Sequence, residues 1–258
     1  MNMIPKTIHY CWFGRNPKPK LAENCIKSWR KHCRGYQIIE WNEDNYDLSK
    51  APLYVRQAYE AKKWAFVTDY VRLQVVYENG GIYMDTDVEL KKNLDFLLSH
   101  NAYFGFESDK YVNTGVGFGA VKGCPVIKQM MDDYMDVPFL LEDGSFDVTP
   151  CPVRNAAALI RHGLCQNGSM QTLDGDILIL PQEYLSPIGS GPDSMGISEN
   201  TVSIHWFSGS WCPEEEQKER EAYYHWMKRK TVLEFLSRTG KQLLGDRFYV
   251  KLRDLIKR

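Results

Sequence analysis

The chain has 258 residues, 43% hydrophobic and 25% charged, enough to bury a full core within one large domain. Its formal net charge of -1 argues against nucleic acid as a partner, because phosphate backbones are held by an excess of Lys and Arg that is missing here. Seven scattered cysteines without a CxxC pair read as reduced thiols of a cytoplasmic protein, and no apolar run approaches the ~20 residues of a membrane span, so a protein neither secreted nor membrane-integral is expected.

In chain order, residues 6–13 predict a short buried strand, broken by the two prolines of 14–19. Apolar residues at helical spacing predict a helix over 21–32, and residues 36–41 a second strand, which together make a β-α-β start. One long helix is expected over 53–78, ended by Asn79-Gly80 before a strand over 82–85. Beyond it the order becomes mixed, with strands near 103–107, 115–121 and 177–180 and helices near 125–134 and 153–162. Residues 136–150, acidic and turn-rich, read as a long surface loop of the functional or mobile kind. From about residue 214 the tail reads as helical, and residues 218–258 carry twelve Lys/Arg against five Asp/Glu. That excess suits peripheral contact with an anionic membrane, or equally a solvated helical face.

The stretch ENGGIYMDTDVEL, residues 78–90, sets two aspartates one residue apart at a strand end. Strand alternation puts Tyr83, Asp85 and Asp87 on one face. Like charges there repel, so a cation beside them is what makes the arrangement favourable. The carboxyl ends of strands are also where open α/β sheets bind ligands. On the preceding helix Asp69 and Arg72 stand three residues apart, hence on one face. In a largely apolar helix they read equally as a structural ion pair or a functional one.

The segments IPKTIHYCWFG, WAFVTDYVRLQVVYENGGIYMDTDVEL and SIHWFSGSW, in that order, resemble the glycosyltransferase family 32-like enzymes. That DxD-containing group includes yeast-type initiating mannosyltransferases and bacterial capsular or lipopolysaccharide transferases, and is related to the glucosylating clostridial toxins. The resemblance covers roughly residues 4–120 and returns at 202–211. It implies a GT-A type α/β fold, a Rossmann-like mixed sheet flanked by helices, with a helical C-terminal tail. The expected organisation is a GT-A domain over 1–213 and a helical extension over 214–258 packed on it. It further implies a nucleotide-sugar donor, Mn²⁺ with Mg²⁺ as substitute, and transfer with retention of configuration to a saccharide or lipid-linked saccharide acceptor.

By the same resemblance Asp87 ligates the metal directly, while Asp85 binds the ribose and reaches the metal through water. His205, on a late strand, is a third metal-ligand candidate, although a lone imidazole between Ile204 and Trp206 also reads as a core histidine. Trp12 can stack on a nucleobase, which favours a UDP-sugar, or fill the core. Asp69 and Arg72 match positions that contact the donor's hydroxyls and phosphate, a task that suits the planar guanidinium. Tyr83 joins the donor-binding set, Asn113 is a sugar or acceptor-side contact or merely a turn residue, and Trp211 closes over the diphosphate or anchors the tail. Asp85, Asp87 and Arg72 form the catalytic set. Two rival readings are a haloacid dehalogenase-type phosphatase, which also ends a strand with D-x-D, and a non-catalytic carbohydrate-binding protein.

Overall fold

The computed structural model describes residues 3–188, 196–209, 215, 218–220 and 222–226. The chain divides into two compact units, Met1–Trp206 and Phe207–Arg258. The first unit opens with strand β1 (Thr7–Cys11), helix α1 (Lys20–His32) and strand β2 (Gln37–Trp41). β1 and β2 pair in parallel from Thr7 on Gln37 to Cys11 on Trp41, the β-α-β start expected from the sequence. Helix α1 buries Ala22, Cys25, Ile26 and Trp29, positions that recur on one face at helical spacing.

The single helix expected over 53–78 is instead two, α2 (Leu53–Glu60) and α3 (Trp64–Asn79). Lys62 takes a left-handed φ of 57° between them, which no α-helix accommodates. Gly80, at φ 68°, ends α3 as the Asn-Gly pair predicts. Strand β3 (Gly81–Tyr83) follows and is shorter than the expected 82–85. The chain turns after Met84, with the Val88 N–H donating to the Asp85 carbonyl at 3.0 Å, so the acidic pair stands on a turn rather than in the strand.

Strand β4 (Val88–Leu90) has no counterpart among the strands expected from the sequence, whereas its antiparallel partner is the late strand expected at His205. Then come β5 (Ala102–Gly105), β6 (Phe118–Ala120), α4 (Pro125–Asp132), α5 (Cys151–Arg161), β7 (Gln171–Leu173), β8 (Ile177–Leu180), α6 (Gln182–Leu185) and β9 (Ser203–His205). β6 is shorter than the expected 115–121 because Gly117, at φ 118°, breaks extended geometry just before it. The loop 136–150 is pinned to the domain. Gln57 Oε1 accepts the N–H groups of Phe139 and Leu140 at 2.8 and 3.1 Å, Phe139 stacks on Phe146, and Asp147 pairs with Arg154 at 2.5 Å.

Seven strands form one sheet in the order β2-β1-β3-β6-β5-β8-β7, and β4 and β9 form a separate ladder. β1, β2 and β3 run parallel, β6 is antiparallel to both β3 and β5, and β8 follows β5. The carboxyl ends of β1, β3 and β5 therefore meet the amino end of β6 at a single edge. This is the Rossmann-like mixed sheet flanked by helices that the GT-A expectation required. Among the described residues no helix is long and apolar enough to cross a membrane. In the second unit the helical residues 222–226 carry Tyr223 stacked on Trp226 at 5.8 Å. Trp211 and most of the expected tail lie outside the described residues.

Trp29 ties α1 to the ladder. Its ring is fully buried, and its Nε1–H donates to the Val88 carbonyl at 2.7 Å, one residue past the acidic pair; Ser28 Oγ accepts the Leu90 N–H at 2.9 Å. Trp29→Phe keeps the aromatic bulk but strands the Val88 carbonyl, so urea unfolding should show a loss of about 1 to 3 kcal/mol. Trp29→Ala should cost about 3 to 5 kcal/mol.

Candidate active site

The β4–β9 ladder sets Val88 opposite His205, and the Trp206 N–H donates to the Asp87 carbonyl at 3.1 Å. This register brings an imidazole from late in the chain to the D-x-D turn. His205 Nε2 lies 3.2 Å from Asp87 Oδ1, and ligand atoms of Asp85, Asp87 and His205 all fall within 4.8 Å of one another. The sequence-based trio is thus one cluster. Two carboxylates and an imidazole fit a divalent ion that accepts nitrogen as well as oxygen.

Asp85 has further partners. Its Oδ1 accepts from the Tyr83 hydroxyl at 2.9 Å and lies 3.3 Å from Arg72 Nη2, which also reaches Asp69 Oδ1 at 3.1 Å. The Arg72 guanidinium lies 5.1 Å from the centroid of the Tyr83 ring, and its Nε–H donates to the Thr68 carbonyl at 3.0 Å. Arg72 is 3% exposed and Asp69 8%, so this charge cluster is largely cut off from water. Burial raises the Asp69 carboxyl to about 6 even though Arg72 pulls it down and Asp85 pushes it further up. Asp85 is raised in the same way, by burial first, against Arg72, and by repulsion from Asp87. His205 is pulled down by burial, but the Asp87 and Asp85 carboxylates outweigh this and hold it above its ordinary value. Three carboxylates thus face one guanidinium and one imidazole, a surplus of negative charge that suits a cation.

Gly115 and Cys151 complete the surroundings of this cluster. A Cβ on Gly115 would stand 2.5 Å from Asp85 Oδ2 and 3.1 Å from Arg72 Nη1, so only glycine lets β6's approach pass this close. Cys151, the first residue of α5, donates its thiol to Asn113 Oδ1 at 3.5 Å and lies 4.0 Å from Arg72 Nη1. Asn113 Oδ1 also accepts the Gly115 N–H at 2.6 Å, while Asn113 Nδ2 donates to Glu107 Oε2. A glycine-rich run marks Gly115 in the sequence, whereas nothing in the spacing of Cys151 or Glu107 points to this edge.

Trp12 follows β1 directly, at the same edge as the acidic turn. It is half-buried rather than core, its Nε1–H donates to the Asn16 carbonyl at 2.7 Å, and Lys18 Nζ lies 5.6 Å from its ring centroid. The structure thus joins Asp69, Arg72, Tyr83, Asp85, Asp87, Asn113 and His205 in one connected network, with Trp12 on the same sheet edge.

Residues 19–104 match the family described as a glycosyltransferase sugar-binding region containing a DXD motif. The chain is 29% identical over 132 residues to inositol phosphoceramide mannosyltransferase 1 of Schizosaccharomyces pombe, covering 44% of this chain and 40% of that protein. It is 26% identical over 198 residues to an uncharacterized glycosyltransferase of Acanthamoeba polyphaga mimivirus, covering 72% and 74% of the two chains. The chain therefore spans about 40% of the length of the first of these relatives. Among solved structures it is similar to the PaToxG glycosyltransferase, with TM-score 0.49 and 18% identity over 62% of this chain and 69% of that one. A glycosyltransferase involved in glycosylating the major capsid of PBCV-1 gives TM-score 0.44 and 12% identity over 84% and 98%. Through residues 19–104 and the acidic turn they contain, this chain resembles the glycosyltransferases that carry a DXD-containing sugar-binding region.

Proposed function

We propose that this protein is a retaining, metal-dependent glycosyltransferase that moves a hexose from a nucleotide-sugar donor to a saccharide or lipid-linked saccharide acceptor. The setting is surface polysaccharide or lipopolysaccharide synthesis in the cytoplasm. The observation that carries this reading is the convergence of Asp85, Asp87 and His205 within 4.8 Å at the carboxyl edge of the sheet, in a chain whose relatives are glycosyltransferases. A phosphatase of the dehalogenase type would carry the motif on its first strand, whereas here it follows the third, β3. A carbohydrate-binding module has no use for a buried arginine facing two carboxylates beside a third paired with an imidazole.

A divalent ion held by Asp85, Asp87 and His205 would offset the charge that gathers on the diphosphate as it leaves. Arg72, pinned by Asp69, Asp85 and Thr68, holds Asp85 in place and sets a fixed positive charge behind the donor site. Trp12 presents a face to the nucleobase, a contact worth ~1 to 3 kcal/mol at other stacking sites, and favours uridine. The fission-yeast relatives are named mannosyltransferases, so a mannose donor stands beside the UDP-sugar reading. With Arg72 occupying the carboxylates of Asp69 and Asp85, none of the aspartates is a free nucleophile, which favours direct front-face transfer over double displacement. The cationic tail is proposed to touch anionic lipid.

A panel of nucleotide sugars should reveal Mn²⁺-dependent hydrolysis of at least one hexose donor; no release of nucleoside diphosphate from any would refute the enzyme. NMR of the transfer product should show a retained anomer, and an inverted one would rule out front-face transfer. Mn²⁺ should raise the melting temperature, and Asp87→Asn should abolish the increment. The increment should grow from pH 5 to pH 8, because ligation needs ionised carboxylates and a neutral His205. Asp69 has the opposite sign in the metal-free protein. Its raised pKa favours the fold at low pH and is lost as pH climbs through about 6, so Asp69→Asn should flatten that decline. Gly115→Ala should leave a folded protein whose Mn²⁺ increment is reduced, since the new methyl displaces Asp85.

A further inference from the structure

Glu107 has no assigned task, yet the topology delivers it to the site. β5 runs parallel to β1 and β3, so the residues just past Gly105 emerge at the edge that carries Trp12 and the acidic turn. The backbone there is fixed. The Phe106 N–H donates to the Leu180 carbonyl at 2.9 Å, Phe106 is fully buried and bridges Val112, and the Glu107 N–H donates to the Tyr111 carbonyl at 2.7 Å. Glu107 itself is half-buried, with a route to solvent.

Its carboxylate is oriented from one side. Oε2 accepts from Asn113 Nδ2, and Asn113 is held in turn by the Gly115 N–H and the Cys151 thiol on its other amide atom. Oε1 has no hydrogen bond or ion pair among the described residues. Through Asn113 and the Cys151 thiol, Glu107 joins the hydrogen-bonded network of Arg72 and Asp85.

The other ionisable groups of the site are committed. Asp69 and Asp85 are paired with Arg72, Asp87 lies against His205, and Tyr83 donates to Asp85. Burial holds the Cys151 thiol neutral. A base must reach the proton that it abstracts and keep an oxygen to receive it. With Asp85, Asp87 and His205 assigned to the metal, Glu107 is the remaining carboxylate of the group that combines a fixed orientation, an oxygen without a partner among the described residues and access to solvent.

We propose that Glu107, oriented by Asn113, is a catalytic residue that takes the proton from the incoming acceptor hydroxyl. As the acceptor oxygen bonds to the anomeric carbon, its proton passes to Glu107 Oε1. The bond from that carbon to the diphosphate oxygen breaks with its electron pair staying on the diphosphate. The proton later leaves Glu107 for solvent. In donor hydrolysis water takes the acceptor's place, so the role can be read without knowing the natural acceptor.

This inference rests on the glycosyltransferase reading, and the test separates the two. The probe is whichever nucleotide sugar the wild-type protein hydrolyses with Mn²⁺. Glu107→Gln should lower kcat for hydrolysis by about 10²-fold, within the range that general bases contribute, while the donor KM stays within about twofold and the melting temperature is unchanged. Glu107→Ala should be equally slow and should regain activity with added sodium formate, which supplies a free carboxylate. Asn113→Ala should show a smaller loss of kcat. If the wild type turns over donor and Glu107→Gln keeps kcat within about threefold, or if kcat, KM and melting temperature fall together and formate restores nothing, the assignment is wrong. If the wild type hydrolyses no nucleotide sugar, the glycosyltransferase reading fails first.

Discussion

The buried guanidinium of Arg72 is the interaction on which the rest of this site depends. It is 3% exposed and holds Asp69 at 3.1 Å and Asp85 at 3.3 Å. A buried charge without partners costs several kcal/mol, and removing one member of such a pair is far more destabilising than the pair itself is stabilising. The arrangement is therefore better understood as orientation than as stability. Arg72 fixes Asp85 from the helix side, Tyr83 fixes it from the strand side, and Gly115 allows the β6 approach to press against it. Asp85 so held keeps a ligand atom within 4.8 Å of those of Asp87 and His205.

That local order is made possible by sheet topology. Because β1, β3 and β5 share a direction and β6 opposes them, residues separated by up to about a hundred positions reach one edge without any long loop. The β4–β9 ladder adds a fourth contribution by pairing Val88 with His205, and α1 locks that ladder through Trp29. Rigid elements hold the side chains, as precise charge placement requires. A surplus of carboxylates over cations in a largely buried cluster is then the electrostatic condition under which a divalent ion is favoured.

Much of this was legible in the sequence where local rules dominate. Trp29 and its α1 face follow from helical spacing, Gly80 from the need for a left-handed cap, and the Asp69–Arg72 pair from their i,i+3 placement. The break at Lys62 was not legible, because a left-handed lysine leaves no compositional mark, and a strong helical pattern on both sides masks it. β4 was not legible for another reason: it is three residues long and is stabilised by its partner over a hundred positions away. His205 is legible as an imidazole on a late strand, but its place beside Asp87 depends on the pairing of that strand with β4. Glu107 and Cys151 lack any periodic or motif signal, since their roles arise from strand direction and from the side chains they meet in three dimensions.

The central claim is that Asp85, Asp87 and His205 bind one divalent ion between them. Crystals of the protein grown with Mn²⁺ and a nucleoside diphosphate, with diffraction recorded on both sides of the manganese absorption edge, test it most directly. An anomalous peak within coordination distance of Asp87 and His205 and beside the diphosphate is the predicted result. A diphosphate bound at this edge with no manganese among the three side chains, or manganese bound elsewhere, would contradict it.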